Sequence, residues 1–66
     1  MNVIVNGHPK ELPSASTVAM LLELLQLEPT QVAVERNLDI IPRDAFAATV
    51  LHDGDRVEVV RFVGGG

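Results

Sequence analysis

The first residues of the chain follow the two-residue period of a strand. In "MNVIV" the apolar residues Met1, Val3 and Val5 alternate along the chain, as in a strand with one buried face. Asn6-Gly7 comes next, which is the strongest short-range indication of a hairpin, and "HPKEL" can return as the second strand. Pro9 fits an edge strand, because its missing N–H is not needed there. The chain is therefore predicted to begin with a β-hairpin.

One stretch, "PSASTVAMLLELLQLEP", has helical spacing. Ser16 or Thr17 can cap its start, and Pro29 prevents its continuation. Met20 and Leu24 point away from the apolar face, so either neighbouring loops cover them or they form a surface for a partner. The face predicted to meet the core carries apolar residues at i, i+3, i+4 and i+7: Val18, Leu21, Leu22 and Leu25.

The second half of the chain is typical of three further strands joined by turns. "QVAVERN" is a third strand with its valines inward, "IIP" is a short fourth strand ended by Pro42, and "RVEVVRFV" is the last. Residues 37–39 and 53–55 are predicted turns. The segment "RDAFAATVLH" is predicted to be a loop with a single helical turn, anchored by Phe46 and Val50.

This order of elements predicts an α+β fold with a mixed sheet of about five strands and one helix across one face. If the first and last strands pair, they run parallel at the centre of the sheet, with the helix in the crossover between them. That arrangement is the β-grasp fold of ubiquitin. Residues 1–63 are the predicted domain, and residues 64–66 are a predicted flexible glycine tail.

The alternation in the last strand predicts an apolar patch on the outer face of the sheet. Val57 and Val59 alternate with charged residues and face the helix, which places Val60 and Phe62 on the outer face. Ile4 lies outward in the first strand by the same count. We expect Ile4, Val60 and Phe62 to form one patch beside the root of the tail, unless a β-bulge returns Val60 and Phe62 inward.

Composition narrows the range of functions. The chain has 66 residues, 47% of them hydrophobic, and a net charge of −4 with no basic run, which argues against nucleic-acid binding and favours a basic partner. No stretch is long enough to span a membrane and no signal sequence is present, so a cytoplasmic location is expected. Cysteine is absent, and His8 and His52 cannot form a zinc site alone.

The residue inventory offers little for catalysis. The pair His52-Asp53 is best interpreted as part of a solvated turn, and "DGD" lacks the further oxygen ligands of a calcium loop. The remaining reactive group is the α-carboxylate of Gly66, which an ATP-dependent enzyme can convert to an acyl-adenylate. Gly64, Gly65 and Gly66 carry no side chains, so such a tail can enter a narrow channel. The glycines could instead be a remnant of an expression vector.

Four short segments, together with the spacing between them, resemble the bacterial sulfur-carrier proteins of thiamin biosynthesis, the ThiS family. They are "VERN" (34–37), "IIPR" (40–43), "DGD" (53–55) and "VGGG" (63–66), and "TVAMLL" (17–22) is similar to the start of the family's helix. The resemblance covers the whole chain and implies a ubiquitin-like β-grasp fold. Gly65 and Gly66 match the family's terminal pair, and Gly64 is a common extension.

The resemblance also implies a mechanism and a set of partners. An E1-like adenylyltransferase adenylates Gly66, sulfur from a cysteine desulfurase relay replaces AMP, and the thiocarboxylate gives its sulfur to thiazole synthase. The protein is then a co-substrate and not an enzyme; it binds no cofactor itself, and ATP and sulfur come from its partners. Docking on the activating enzyme is assigned to Ile4, Val60 and Phe62 as a hypothesis.

Four alternatives stay open at the level of sequence. The small subunit of molybdopterin synthase shares fold and chemistry but is usually longer and ends in a bare Gly-Gly. The chain could serve another sulfur-containing metabolite, or be a ubiquitin-like modifier joined to lysines through Gly66. It could also be a β-grasp interaction module whose tail has no role.

Overall fold

The computed structural model describes residues 1–62. The predictions made for Val63, Gly64, Gly65 and Gly66, and the domain boundary after residue 63, lie outside the described residues. Within residues 1–62 the elements are β1 (Asn2–Val5), β2 (His8–Glu11), α1 (Val18–Leu24), a 3-10 turn (Pro29–Gln31), β3 (Val32–Arg36), β4 (Asp39–Ile41), a second 3-10 turn (Arg43–Ala45) and β5 (Arg56–Arg61).

The strands form one five-stranded sheet in the order β2-β1-β5-β3-β4. β1 and β5 run parallel at its centre, and every other neighbouring pair is antiparallel. The edge position of β2 agrees with the prediction made from Pro9. This mixed sheet with one helix is the predicted β-grasp arrangement, and the helix supplies the crossover that two parallel strands require.

The core lies between α1 and one face of the sheet, called the inner face here. The predicted inward valines of β1, β3 and β5 and the predicted face of α1 are buried together, except that Leu25 is only half-buried. Burial of aliphatic side chains is the main stabilising term available to a cysteine-free domain of this size. The buried hydrophobic residues are Val3, Val5, Leu12, Val18, Leu21, Leu22, Val32, Val34, Phe46, Leu51, Val57 and Val59.

Thr17 caps α1, whereas Ser16 forms a hydrogen bond within the preceding loop. The Thr17 Oγ1 accepts a hydrogen bond from the Met20 N–H at 3.2 Å, which satisfies one donor of the first turn. Ser16 is buried, and its hydroxyl donates to the Pro13 carbonyl at 2.7 Å. Of the two predicted caps, Thr17 is therefore the one used.

The helix ends before Pro29, through a backbone motif that the sequence pattern did not reveal. Gln26 has a φ of 60°, in the left-handed region. Its N–H donates to the Glu23 carbonyl, and the N–H of Leu27 donates to the Leu22 carbonyl. This pair of bonds is a Schellman motif, in which glycine is the usual residue at the left-handed position.

The segment after β4 is anchored by Phe46 and Leu51, so the prediction for Val50 was wrong. Phe46 is 3% exposed and Leu51 is 1% exposed, whereas Val50 is 39% exposed. Val50 forms an isolated antiparallel bridge with Thr17, and the N–H of Leu51 donates to the Ser16 carbonyl. Adjacent residues of an extended segment point to opposite sides, so only one of the two can face the core.

Candidate functional site

The outer face of the sheet, opposite α1, carries exposed apolar side chains at the end of β5. Val60 is 60% exposed and Phe62 is 55% exposed. Pairing of β5 with β3 is one-to-one from Val57 to Arg61, so no bulge turns these residues inward. The N–H of Phe62 donates to the Gln31 carbonyl at 2.8 Å, which extends the pairing one residue further. Val60 and Phe62 therefore point outward as the alternation predicts, and together they are called the Val60–Phe62 pair.

Ile4 lies on the same face but at a distance from this pair. The parallel register places Ile4 beside Arg56, four residues before Val60. At 3.3 Å per residue this separation is roughly 13 Å along the strand, and the side chain of Glu58 comes between the two levels. Ile4 is also only half-buried, not fully exposed. The structure does not join Ile4 to Val60 and Phe62 in the single patch that the sequence predicts.

Two glutamates occupy opposed positions beside the Val60–Phe62 pair, and the sequence pattern did not predict this pairing. Glu35 of β3 and Glu58 of β5 are directly opposite in the antiparallel register and both point outward. On β4, Ile40 pairs with Glu35 and is 76% exposed. Like charges in directly opposed positions destabilise a sheet. The period-two pattern assigns each glutamate to the outer face, but only the register shows that they are neighbours.

Asn6 fixes the end of β5 from the side of β1. Its side-chain Oδ1 accepts from the Val59 N–H at 2.8 Å, and its Nδ2 donates to the Val59 carbonyl at 3.1 Å. The amide thus replaces a further strand residue after β1 ends at Val5. On the other side, Val32 pairs with Arg61. β5 is therefore held by Asn6 at Val59 on one side, and by β3 as far as Arg61 on the other.

A second asparagine fixes the start of β5. Asn37 Nδ2 donates to Asp55 Oδ1 at 3.0 Å, and its Oδ1 accepts from the Arg56 N–H at 3.0 Å. The other oxygen of Asp55 accepts from the His52 N–H at 2.8 Å. Asp55 is 9% exposed, so it is a structural carboxylate inside the turn. The turn predicted at 53–55 is confirmed.

Of the His52-Asp53 pair considered for catalysis, the side chain of Asp53 serves the fold. Asp53 Oδ1 accepts from the Asn2 N–H at 2.7 Å, which ties the turn to β1. Residues 1–62 contain no group of three or more His, Cys, Asp or Glu side chains placed to hold a metal ion. No helix in this described part of the chain has the length and apolarity needed to cross a membrane. The predicted sulfur-bearing residue, Gly66, lies outside the described residues.

Comparison with known proteins places these features in a family. The model of the ThiS family matches residues 3–66. The chain is 41% identical over 66 residues to a thiazole synthase from Paramagnetospirillum magneticum; this is 100% of the chain but 20% of that protein, so the chain spans about a fifth of its length. It is also 46% identical over 50 residues to the sulfur carrier protein ThiS of Bacillus subtilis, which is 76% of each chain.

A solved structure shares the fold. The crystal structure of the thiamine biosynthesis protein (ThiS) from Geobacter metallireducens superposes with a TM-score of 0.85. It is 40% identical in sequence, and the match covers 100% of both chains. The similarity to this structure therefore extends over the whole chain and is not limited to short motifs.

Proposed function

This chain belongs to the ThiS family, and from that premise we propose that it is a sulfur carrier of thiamin biosynthesis that bears sulfur as a thiocarboxylate on Gly66. The observation that carries the proposal is the family match over residues 3–66, which includes the three terminal glycines. The protein is then a co-substrate of other enzymes and not an enzyme itself. Without cysteine in the chain, a protein-bound persulfide is not an option, so the acyl group of Gly66 is the place for sulfur.

The chemistry proceeds in three steps, which are activation of the carboxylate, attachment of sulfur and cleavage of an acyl disulfide. The Gly66 carboxylate, anionic at neutral pH, attacks the α-phosphorus of ATP, pyrophosphate leaves, and an acyl-adenylate forms. A persulfide sulfur supplied by a cysteine desulfurase relay attacks the acyl carbon and AMP leaves. A thiol then cleaves the resulting acyl disulfide, which leaves the thiocarboxylate. This chain's own contribution is a tail without side chains that follows β5 in the sequence.

The activating partner is an E1-like adenylyltransferase that docks on the outer face. The exposed Val60–Phe62 pair comes shortly before the tail in the sequence, so it is the apolar centre of the proposed contact. Glu35 and Glu58 would meet basic side chains around it, in keeping with the net charge of −4. Ile4 would contact this partner only at the edge of the docking surface, because it lies beside Arg56 and away from the Val60–Phe62 pair. ATP and sulfur enter through the partners.

Thiazole synthase is the proposed recipient of the sulfur. The support is that this chain is similar to a fifth of the length of proteins named thiazole synthase, one of them from Magnetococcus marinus at 41% identity. A domain of this kind therefore occurs within a thiazole synthase chain. The same tail that enters the adenylyltransferase would deliver sulfur to this second enzyme.

The test is the intact mass of the protein ending at Gly66 after incubation with ATP, a cysteine desulfurase with cysteine, and the adenylyltransferase of the same organism. The expected result is the replacement of one oxygen by sulfur, localised to Gly66 by fragmentation. Two matched controls are a variant without Gly65 and Gly66 and a variant with one alanine added after Gly66. Neither variant should gain sulfur. The first ends two residues earlier and the second one residue later, so in both the terminal carboxylate is displaced from the position that it has in the parent.

Two outcomes would contradict the proposal. An unchanged mass, with the partners proven active on another carrier, would leave the tail without a sulfur-carrying role. An isopeptide between Gly66 and a lysine of another protein would identify a ubiquitin-like modifier instead. Addition of thiazole synthase and its small substrates should then consume the thiocarboxylate; failure at this last step alone would redirect the choice of recipient.

A further inference from the structure

The exposed side of α1 forms a groove that the proposed sulfur chemistry does not use. Met20 is 48% exposed and Leu24 is 54% exposed, and they are neighbours one helical turn apart. They line a groove of about 270 Å³, called the α1 groove, whose residues are Leu12, Pro13, Ser16, Met20, Glu23 and Leu24. Exposed apolar side chains grouped in this way are typical of interaction sites.

The lining of the α1 groove is mostly apolar, and the Ser16 hydroxyl in it already has a hydrogen-bond partner. Leu12 is 2% exposed and forms part of its floor. The hydroxyl of Ser16 is bonded to the Pro13 carbonyl, so it does not need a ligand. The carboxylate of Glu23 is the single charged group in the lining, and it lies on the exposed side of the helix. The groove thus offers an open, mostly apolar surface with one acidic side chain in its lining.

We propose that the α1 groove docks a basic amphipathic helix of a partner protein. A helix laid along α1 can place apolar side chains at i and i+4 against Met20 and Leu24, the spacing used in helix-in-groove recognition. An arginine or lysine on the same side would pair with Glu23. A second copy of this chain is disfavoured, because it would bring Glu23 towards another Glu23 between molecules of net charge −4.

The position of the groove gives the proposal its consequence for function. α1 covers the inner face of the sheet, so the α1 groove and the Val60–Phe62 pair lie on opposite sides of the molecule. A partner in the groove therefore leaves the outer face and the end of β5 accessible. The inference does not depend on the proposed sulfur chemistry, since it concerns a separate surface.

The test is a titration of the ¹⁵N-labelled protein with a synthetic amphipathic helical peptide that carries leucines at i and i+4 and arginines at i+3. The expected chemical-shift changes lie at the residues of the α1 groove. Met20→Gln combined with Leu24→Gln should weaken binding by roughly tenfold or more, as expected for lost burial of two apolar side chains. Glu23→Gln should weaken it less and reduce its dependence on salt.

Matched controls keep the result interpretable. Leu38→Gln removes another apolar side chain, 89% exposed and on the far hairpin, and should leave binding unchanged. Because Met20 and Leu24 are exposed, glutamine at these positions leaves the core intact, and the spectrum of each variant verifies this. The mass assay for thiocarboxylate should give the same yield for the α1 variants as for the parent, which separates this proposal from the proposed function.

Several results would overturn the proposal. One is equal binding of a peptide in which glutamates replace the arginines, because the charge argument would then fail. Another is a set of shifts on the outer face, or none at any concentration of peptide. A third is concentration-dependent shifts at the groove without peptide, which would identify a second copy of this chain as the occupant.

Discussion

At the scale of single residues, two asparagine side chains act as part of the sheet. Asn6 forms two hydrogen bonds with the backbone of Val59, and Asn37 links the side chain of Asp55 to the backbone of Arg56. Each replaces a strand residue at a point where a neighbouring strand has turned away. The central strand β5 is therefore held by amides at its start and at Val59, because an amide can donate and accept at the same time.

We expect Asn6→Asp to destabilise the domain by about 1–2 kcal/mol. The aspartate keeps an acceptor for the Val59 N–H but loses the donor to the Val59 carbonyl and places a charged oxygen against it. Urea unfolding followed by circular dichroism measures the change. Gln31→Glu adds the same charge at an exposed residue and should cost less than about 0.5 kcal/mol. Equal stability of the two variants would show that the amide bonds contribute nothing net.

At the scale of elements, the two β-hairpins use the same backbone turn with different residues. Asn6 and Gly7 have φ values of 50° and 82°, and Asn37 and Leu38 have values of 50° and 73°. Two positive φ values in a two-residue loop indicate a type I′ turn, for which Asn-Gly is the preferred sequence. Leu38 adopts the glycine position at a cost and is 89% exposed, so packing does not compensate it.

Leu38→Gly should therefore stabilise the protein by about 1 kcal/mol, and Gly7→Leu should destabilise it by a similar amount. The reciprocal exchange is well matched, because a Cβ at Gly7 meets no atom within 4 Å and only the backbone conformation changes. Thermal unfolding of both variants beside the parent measures the two shifts. A loss of stability in Leu38→Gly would indicate that the leucine side chain contributes contacts beyond its exposure.

The elements themselves were largely predictable, and their ends were not. Period-two and period-3.6 patterns gave the strands, the helix and the buried face of each, because those faces must be apolar to form a core. The sequence pattern indicated that Pro29 stops the helix. In the structure α1 ends earlier, because Gln26 adopts the left-handed conformation. The choice between Val50 and Leu51 as anchor depends on the bridge to Thr17, a tertiary contact that no local pattern contains.

At the scale of the whole molecule, the two surfaces proposed to bind partners lie on opposite sides of one small sheet. Alternation correctly predicted the outward direction of Val60 and Phe62, because the side-chain period of a strand is two. The alternation could not predict that Ile4 lies beside Arg56, four residues before Val60 along β5. Nor could it predict that Glu35 opposes Glu58. Both facts depend on the register between strands that are distant in sequence. The direction of each side chain was thus predictable from the sequence. Which of these side chains lie next to one another on the outer face was not.

The opposed glutamates lead to a prediction in which stability and docking change in opposite directions. Glu58→Gln removes the repulsion with Glu35, so it should stabilise the fold by about 0.5 kcal/mol. It also removes charge beside the Val60–Phe62 pair, so kcat/KM of the adenylyltransferase for this carrier should fall several-fold at low salt, with a smaller loss at high salt. Unfolding curves and pyrophosphate release measure the two effects.

Glu28→Gln is the matched control for this prediction, because it removes the same charge from an exposed residue outside the sheet. Glu28→Gln should change neither the stability nor kcat/KM. The reason is that the proposed attraction comes from the local pair Glu35 and Glu58 and not from the net charge of the protein. If Glu28→Gln and Glu58→Gln lower kcat/KM equally, the whole-molecule charge of −4 attracts the partner and the pair has no special role. If Glu58→Gln lowers only the stability, the two carboxylates are held apart or bridged in the free protein, and the repulsion argument fails.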